Sequence, residues 1–268
     1  MNKNLFLSKT FFFSILFVFL FSIFYFDSSF NDKTIVKCTD LDYESALNNS
    51  PKNFKNMNIS IDFLKDRKWT EIILNNHGSF VKKGFFENGQ RTDAIITIAY
   101  KNNTSCILKA SIKPHGDLED HHMPVTELPS MQVYLEDGHI YGIVKFLLLR
   151  PKTRVSLDNE IFAAYITNEM GFLSPRTAKI TVKYNEKNTD FIFQEKVVKE
   201  FIEYNNYREG LLFSNDDRLH YNLDNNPYDV NYFKVSNSKI VERSQRYENA
   251  FFTLNNLNKK RKYSETLN

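Results

Sequence analysis

An apolar run near the N-terminus, residues 5–26, constrains this chain more than any other feature of its sequence. Its few polar interruptions are Ser8, Lys9, Thr10, Ser14 and Ser22. A helix of 22 residues extends about 33 Å, which matches a hydrocarbon core of roughly 30 Å. The run therefore predicts one transmembrane helix, so that residues 1–26 form a cytoplasmic stub and a membrane anchor.

The charges that flank this run predict its orientation. Lys3 and Lys9 lie on its N-terminal side, and Asp27 and Asp32 follow it. Because positive residues favour the cytoplasmic side, we expect a single-pass cell-membrane protein with a cytoplasmic N-terminus and an extracytoplasmic body. A cleaved signal peptide is the alternative, but the run ends in Phe-Tyr-Phe-Asp rather than in a small-residue cleavage site.

The composition is that of a folded chain. Among 268 residues, 42% are hydrophobic and 25% are charged, with Phe 25 against Gly 8 and Pro 7, which argues against collagen, a disordered chain or a small disulfide scaffold. A net charge of +3 is too small to indicate nucleic acid as a partner. The chain has no nucleophile elbow, phosphate-cradling glycine loop or dinucleotide fingerprint, so the common hydrolase and dehydrogenase classes are not indicated.

The two cysteines, Cys38 and Cys106, leave two alternatives open. In an oxidising compartment they could form a disulfide, and so long a closed loop would restrict the unfolded chain by about 4 kcal/mol. They could equally be two separate thiols in the core.

The folded body is predicted to begin near residue 59, after a polar stalk over residues 27–58. Alternating apolar residues predict strands, and helical spacing with terminal glycines predicts helices. The strands are expected at residues 59–63, 94–100, 106–112, 131–135, 140–149, 178–184 and 190–194. The helices are expected at residues 69–76, 157–168, 197–205 and 241–257, the first ending at Gly78 and the second at Gly171.

This order of elements predicts the fold class. The four strands between residues 94 and 149 form an antiparallel meander, and residues 178–194 form a second hairpin. The expected architecture is an α+β domain over residues 59–258, with a mainly antiparallel sheet and packed helices, followed by a basic tail at 259–268.

A first polar cluster follows the second strand of the meander. It contains His115, Asp117, Asp120 and His121, which are ligand types that a divalent metal prefers. The cluster is a weak candidate for a metal site, because a charged, exposed loop explains the same residues without a metal.

A second cluster is basic and runs from a strand into the turn before a helix. It comprises Lys145, Arg150, Lys152 and Arg154. Guanidinium and ammonium groups near a helix N-terminus suit a phosphate, whereas the alternative is a solvated loop with snorkelling side chains. Glu195 could pair with a strand lysine, or form an ordinary surface salt bridge.

The run from Ile112 to Asp117, with Asp120-His121 after it, resembles the Lys-Gly-Asp…Asp-His motif of the bacterial spore-coat CotH kinase-like family. Further short matches follow in the family's order, and the resemblance covers about residues 94–215. They are Tyr141-Gly142, Lys145-Phe146, Pro151-Lys152-Thr153-Arg154, Asn159-Glu160, Glu169-Met170-Gly171, Gln194-Glu195, residues 199–203 and Arg208-Glu209-Gly210.

The resemblance implies an atypical protein-kinase-like fold that binds ATP with Mg²⁺ or Mn²⁺ and transfers phosphate to serine in secreted or envelope proteins. By this analogy a lysine such as Lys145 would face phosphates and Glu195 would support the nucleotide lobe. The resulting candidates for phosphate or nucleotide binding are Lys113, Lys145, Arg150, Lys152, Arg154 and Glu195. The catalytic residues stay unassigned.

This sequence departs from the family in ways that keep three hypotheses open. Residues 130–135 lack the family's basic strand, residues 185–189 lack its turn glycines, and no acidic pattern after Glu195 matches its metal-binding part. The chain would be a membrane-anchored Ser phosphotransferase, a non-catalytic envelope binding module, or a shortened copy of a longer CotH-like protein.

Overall fold

The structure is a computed structural model. It describes residues 34–35, 38, 57–84, 86, 89–100, 104–116, 121, 127–153, 157–215, 233–235, 237, 244–253 and 256. The strands are β1 Thr34–Ile35, β2 Met57–Phe63, β3 Thr92–Tyr100, β4 Thr104–Pro114, β5 Met131–Leu135, β6 Lys145–Leu149, β7 Thr177–Tyr184, β8 Lys187–Glu195, β9 Phe213–Asn215 and β10 Phe233–Val235. The helices include α1 Asp66–Lys83, α2 Leu157–Glu169 and α3 Lys199–Tyr204, with a 3-10 turn at Pro151–Thr153. Residues 245–253 and 256, within the helix predicted over 241–257, are also helical.

Seven of these strands form one sheet that closes on itself. Their order is β4-β3-β2-β7-β8-β6-β5, and β5 pairs again with β4. The pairs are antiparallel except for β2 with β7, which run parallel. The short strand β1 adds to β4 in parallel, while β9 and β10 pair with each other.

The core lies inside the closed sheet, because alternate residues of each strand point inward. In β2 the buried residues are Met57, Ile59, Ile61 and Phe63, with more exposed residues between them. From the other strands the inward residues include Ile96, Ile98, Leu108, Ile112, Val133, Phe146, Leu148, Ile180, Val182, Phe191 and Phe193. Helix α1 contributes Trp69, whose ring stacks on that of Phe63 at 4.3 Å.

The predicted α+β fold with packed helices, resembling part of a kinase-like fold, is wrong. The antiparallel meander of β3, β4, β5 and β6 and the β7–β8 hairpin were predicted, and the structure confirms both. The remaining contacts that close the sheet join strands far apart in sequence, namely β2 with β7 and β6 with β8. Local apolar periodicity predicts strands, but it carries no information about such distant pairing.

Two local details also differ from expectation. Helix α1 runs past Gly78 to Lys83 and ends at Gly84, whose φ of 76° satisfies a left-handed C-cap. The β7–β8 turn lacks glycine, yet Asn185 and Glu186 adopt φ values of 46° and 62°. The hairpin therefore keeps the turn geometry that antiparallel strands favour.

The two cysteines form a disulfide. Cys38 and Cys106 are bonded across a sequence separation of 68 residues, and both are buried in the core. The bond decides between the two alternatives left by the sequence. It also fits folding in an oxidising compartment.

The predicted membrane anchor has to be corrected. Its residues, 5–26, lie outside the described residues, and within the described ranges no helix is long and apolar enough to cross a membrane. We therefore withdraw the predicted membrane attachment by one helix and the single-pass location. The predicted stalk and tail lie mostly outside the described residues too, although Thr34–Ile35 and Cys38 of the stalk contact the sheet.

Candidate anion-binding site

Three lysines meet on the outer face of the closed sheet. Strand register places Lys113 of β4 opposite Gln132 of β5, and Tyr134 opposite Lys145 of β6. The backbone N–H of Lys196, just after β8, donates to the carbonyl of Lys145 at 3.0 Å. Because the residues beside them in each strand point into the core, these side chains face outward.

A fourth cation comes from the residue before β3. The register pairs Thr92 with Ile112, so that Arg91 lies beside Lys113 on the outer face. One Arg91 Nη1 hydrogen is donated to the carbonyl of Ser111 at 3.4 Å. We call Arg91, Lys113, Lys145 and Lys196 the basic cluster; all four are partly buried.

A buried amide and an aromatic ring lie among these cations. Lys196 Nζ donates to Gln132 Oε1 at 2.7 Å, and Gln132 is only 3% exposed. Lys145 Nζ lies 5.9 Å from the centre of the Tyr134 ring, which is within reach of a cation–π interaction. One ammonium group is thus held by a neutral amide, so its charge is not cancelled by that contact.

Burial and the neighbouring positive charges lower the pKa values of two lysines in the cluster. Burial, and then the charges of Lys145, Lys113 and Arg91, lower the pKa of Lys196 to about 8. Burial and Arg91 also lower the pKa of Lys145, while Glu200 acts in the opposite direction. Each added positive charge therefore costs free energy here, and an anion would relieve that cost.

Arg150 does not join the basic cluster. It is 7% exposed, and its Nη1 atom lies 3.3 Å from the Leu128 carbonyl and from Glu127 Oε2. Its backbone N–H donates to Ser130 Oγ at 2.9 Å. These contacts make Arg150 part of the packing next to the Phe191 ring, 6.0 Å away.

The two other residues of the predicted basic cluster that follow Arg150 do not belong to the site that the structure describes. Lys152 is exposed in the 3-10 turn. Arg154 lies outside the described residues. Of the predicted phosphate ligands, the structure thus brings together Lys113 and Lys145.

Glu195 faces the interior, on the opposite side of the sheet from its neighbour Lys196. Both of its oxygens accept from Arg176, with Nε–Oε2 and Nη2–Oε1 distances of 2.8 Å. Arg176 also donates from Nη1 to the Tyr141 carbonyl at 2.7 Å, and its guanidinium lies 3.9 Å from the centre of the Tyr204 ring. The partner of Glu195 is therefore an arginine that the sequence analysis did not single out.

The predicted metal cluster is only partly placed. The rings of His115 and His121 lie 6.1 Å apart at their centres and nearly perpendicular. Asp117 and Asp120 lie outside the described residues. Among the residues that the structure does describe, no group of three or more His, Cys, Asp or Glu side chains could hold a metal ion.

Three residues of this site were not predicted from the sequence, namely Arg91, Gln132 and Lys196. Each of them is adjacent in sequence to a buried residue in or beside a strand. The alternation of inward and outward side chains could therefore have indicated that they lie on the outer face. It could be used only once the pairing of β3, β4, β5, β6 and β8 was known.

No protein-family model matches this chain, and no curated protein matches it. The resemblance to the CotH family therefore stays a hypothesis.

Proposed function

We propose that this chain is a binding protein for a phosphate-bearing ligand, and that the basic cluster is its site. The observation that supports this proposal most is the convergence of Lys113, Lys145, Lys196 and Arg91 from four separate segments around the buried Gln132. Ligands with several anionic oxygens can engage several such donors at once.

The electrostatics favour an anion with more than one charge. A single surface lysine needs no ligand, since water solvates it. In this cluster, however, burial already opposes the charge of Lys196, and three neighbouring cations add to that opposition. A phosphate or diphosphate group would offset both effects, because it supplies opposite charge and hydrogen-bond acceptors in place of lost water.

This proposal corresponds to the hypothesis of a binding module, with an extracytoplasmic location suggested by the disulfide. Membership of the CotH family, an ATP cofactor with Mg²⁺ or Mn²⁺, an envelope protein as substrate and origin as a shortened copy remain hypotheses that rest on the resemblance alone. Nothing in the described residues supports kinase activity or ATP binding, and neither belongs to the proposal.

Calorimetric titration of the full-length chain with inorganic pyrophosphate at pH 7 and low salt tests the site. Replacing Lys113 or Lys145 by Gln removes one charged donor, worth about 1.4 kcal/mol, and should weaken binding about tenfold. Lys109→Gln is the matched control, because Lys109 is an exposed lysine on the same face of β4, about 13 Å from Lys113 at the rise of a strand. It should bind as the wild type does.

Two results would overturn the proposal. One is the absence of saturable pyrophosphate binding by the wild type. The other is an equal loss of affinity in Lys109→Gln and Lys113→Gln, because attraction to the overall positive charge would then explain the binding without a site.

A further inference from the structure

We propose that Lys196 is a reactive amine in this site, which condenses with the carbonyl carbon of a phosphorylated aldehyde or ketone while Lys113, Lys145 and Arg91 hold its phosphate. This inference rests on the proposed function and names the class of ligand that the site would bind. It adds a covalent step to what would otherwise be binding alone.

The base of the Lys196 side chain is held firmly. Its backbone N–H pairs with the carbonyl of Lys145, and the preceding residue, Glu195, is buried and bound by both arms of Arg176. A fixed backbone leaves only the side-chain torsions to place the amine. The fixed backbone therefore limits the positions that Nζ can reach, and a reacting group requires such positioning.

Gln132 orients the end of the same side chain. Its Oε1 atom accepts one hydrogen from Nζ at 2.7 Å, and the amide is almost completely buried. An amide oxygen accepts from the neutral amine as well as from the ammonium ion. The contact therefore survives deprotonation and leaves the nitrogen lone pair available to another partner.

The surroundings of Lys196 shift its protonation equilibrium toward the neutral amine. Lys145 of β6, Lys113 of β4 and Arg91 before β3 act on it in addition to burial, whereas Glu200 of α3 acts on Lys145 in the opposite sense. Ordinary lysines are almost fully protonated and poorly nucleophilic near neutral pH, and desolvation next to other cations is a recognised way to activate one.

The reaction is balanced by the two reactants alone. The Nζ lone pair forms a bond to the carbonyl carbon, and the carbon–oxygen double bond opens to a carbinolamine. The oxygen then leaves as water and takes with it both hydrogens of the neutral amine, so that a carbon–nitrogen double bond remains. No oxidant or reductant is needed, and water reverses the step.

Pyridoxal 5′-phosphate is a suitable probe, with pyridoxal as its counterpart without phosphate. The full-length chain is incubated with each at pH 8, the imine is reduced with borohydride, and labelled lysines are identified by peptide mass. Lys196 should be labelled about tenfold or more faster than an ordinary exposed lysine, because far more of it is unprotonated at this pH. Removing the phosphate from the probe should slow the labelling of Lys196 about tenfold.

Two variants make the assignment specific. Lys196→Arg keeps the positive charge and a donor for Gln132 but cannot form a stable imine, so the fast label should disappear. Lys187→Arg changes an exposed lysine of the same strand, β8, and should leave the fast label unchanged.

The outcomes separate this inference from the proposed function. If pyrophosphate binds but Lys196 is labelled no faster than Lys187, the covalent step is wrong while the binding site stands. If Lys196 reacts equally fast with pyridoxal and pyrophosphate does not bind, both the phosphate anchor and the proposed function fail. Fast labelling of Lys113 or Lys145 instead of Lys196 also overturns the assignment.

Discussion

Arg176 binds both carboxylate oxygens of Glu195, and the two side chains are only 11% and 2% exposed. Their two short hydrogen bonds join the start of β7 to the end of β8, directly behind Lys196. The pair thus supports the candidate site from the inner side of the sheet, although neither residue faces the basic cluster.

Removing one member of this pair should strongly destabilise the folded protein. Glu195→Gln leaves the buried Arg176 charge without its carboxylate, and we expect a loss of about 3–5 kcal/mol in the free energy of unfolding. Denaturant titration measures it. Asp190→Asn is the control, because it breaks the exposed Lys179–Asp190 pair of the same hairpin and should cost at most about 1 kcal/mol. Equal losses in both variants would contradict the structural role given to Glu195.

The disulfide should stabilise the fold chiefly by restricting the unfolded chain. Replacing Cys38 and Cys106 together by Ala opens a loop with a sequence separation of 68 residues, and the expected loss is about 4 kcal/mol. Chemical denaturation of the variant and of the reduced wild type should give similar midpoints. An unchanged midpoint in both would show that the bond contributes nothing to folding.

Gly116 should not tolerate a side chain. A Cβ atom there would overlap Cβ, Cγ and Cδ2 of His121, and the φ of +91° is unfavourable for other residues. Gly116→Ala should therefore lower the free energy of unfolding by about 1–3 kcal/mol. Adding His121→Ala removes the two ring atoms from this clash but leaves the contact with Cβ of residue 121 and the backbone strain, so thermal denaturation should show partial recovery. No recovery in the double variant would mean that the clash is not the cause.

Affinity for pyrophosphate should depend on pH through Lys196. Since its pKa is about 8 in the free protein, binding should be strongest below pH 8 and weaken as pH rises and the ammonium loses its proton. The bound anion should raise this pKa, so binding near pH 8 takes up protons. Calorimetry in buffers of different ionisation enthalpy measures that uptake. Lys196→Arg should remove the step near pH 8, and its persistence would assign it to another group.

The free energy of unfolding should also depend on pH through Lys196, but it should rise with pH, whereas the affinity for pyrophosphate should fall. The folded pKa of Lys196, about 8, lies below the ordinary value of 10.5, so between these values the unfolded chain binds more protons than the folded one. The free energy of unfolding of the wild type, relative to Lys196→Gln, should therefore rise from pH 8 to pH 10. Urea titrations at several pH values measure this difference. A constant difference would contradict the burial of Lys196 among cations.

The local elements of the fold could be predicted from short stretches of sequence. Alternation and turn chemistry were sufficient for the β3–β4 and β7–β8 hairpins, because both depend on residues close along the chain. Gly171 marked the end of α2 in the same way, and its φ of 79° confirms the reason. Lys145 could be named as a candidate because its residue type suits phosphate, and Lys113 because it lies in the motif that resembles the CotH family.

The assembly of these elements into a closed sheet depends on contacts between distant parts of the chain. The β2–β7 and β6–β8 pairings close the sheet, and no local pattern specifies which distant strands will share a core. In the closed sheet the Glu195 side chain faces the interior and the Lys196 side chain faces outward, since successive residues of a strand face opposite sides. On that outer face Arg91 lies beside Lys113. The site therefore depends on the pairing register of strands that are distant in sequence. Burial of apolar residues along the whole chain selects that register.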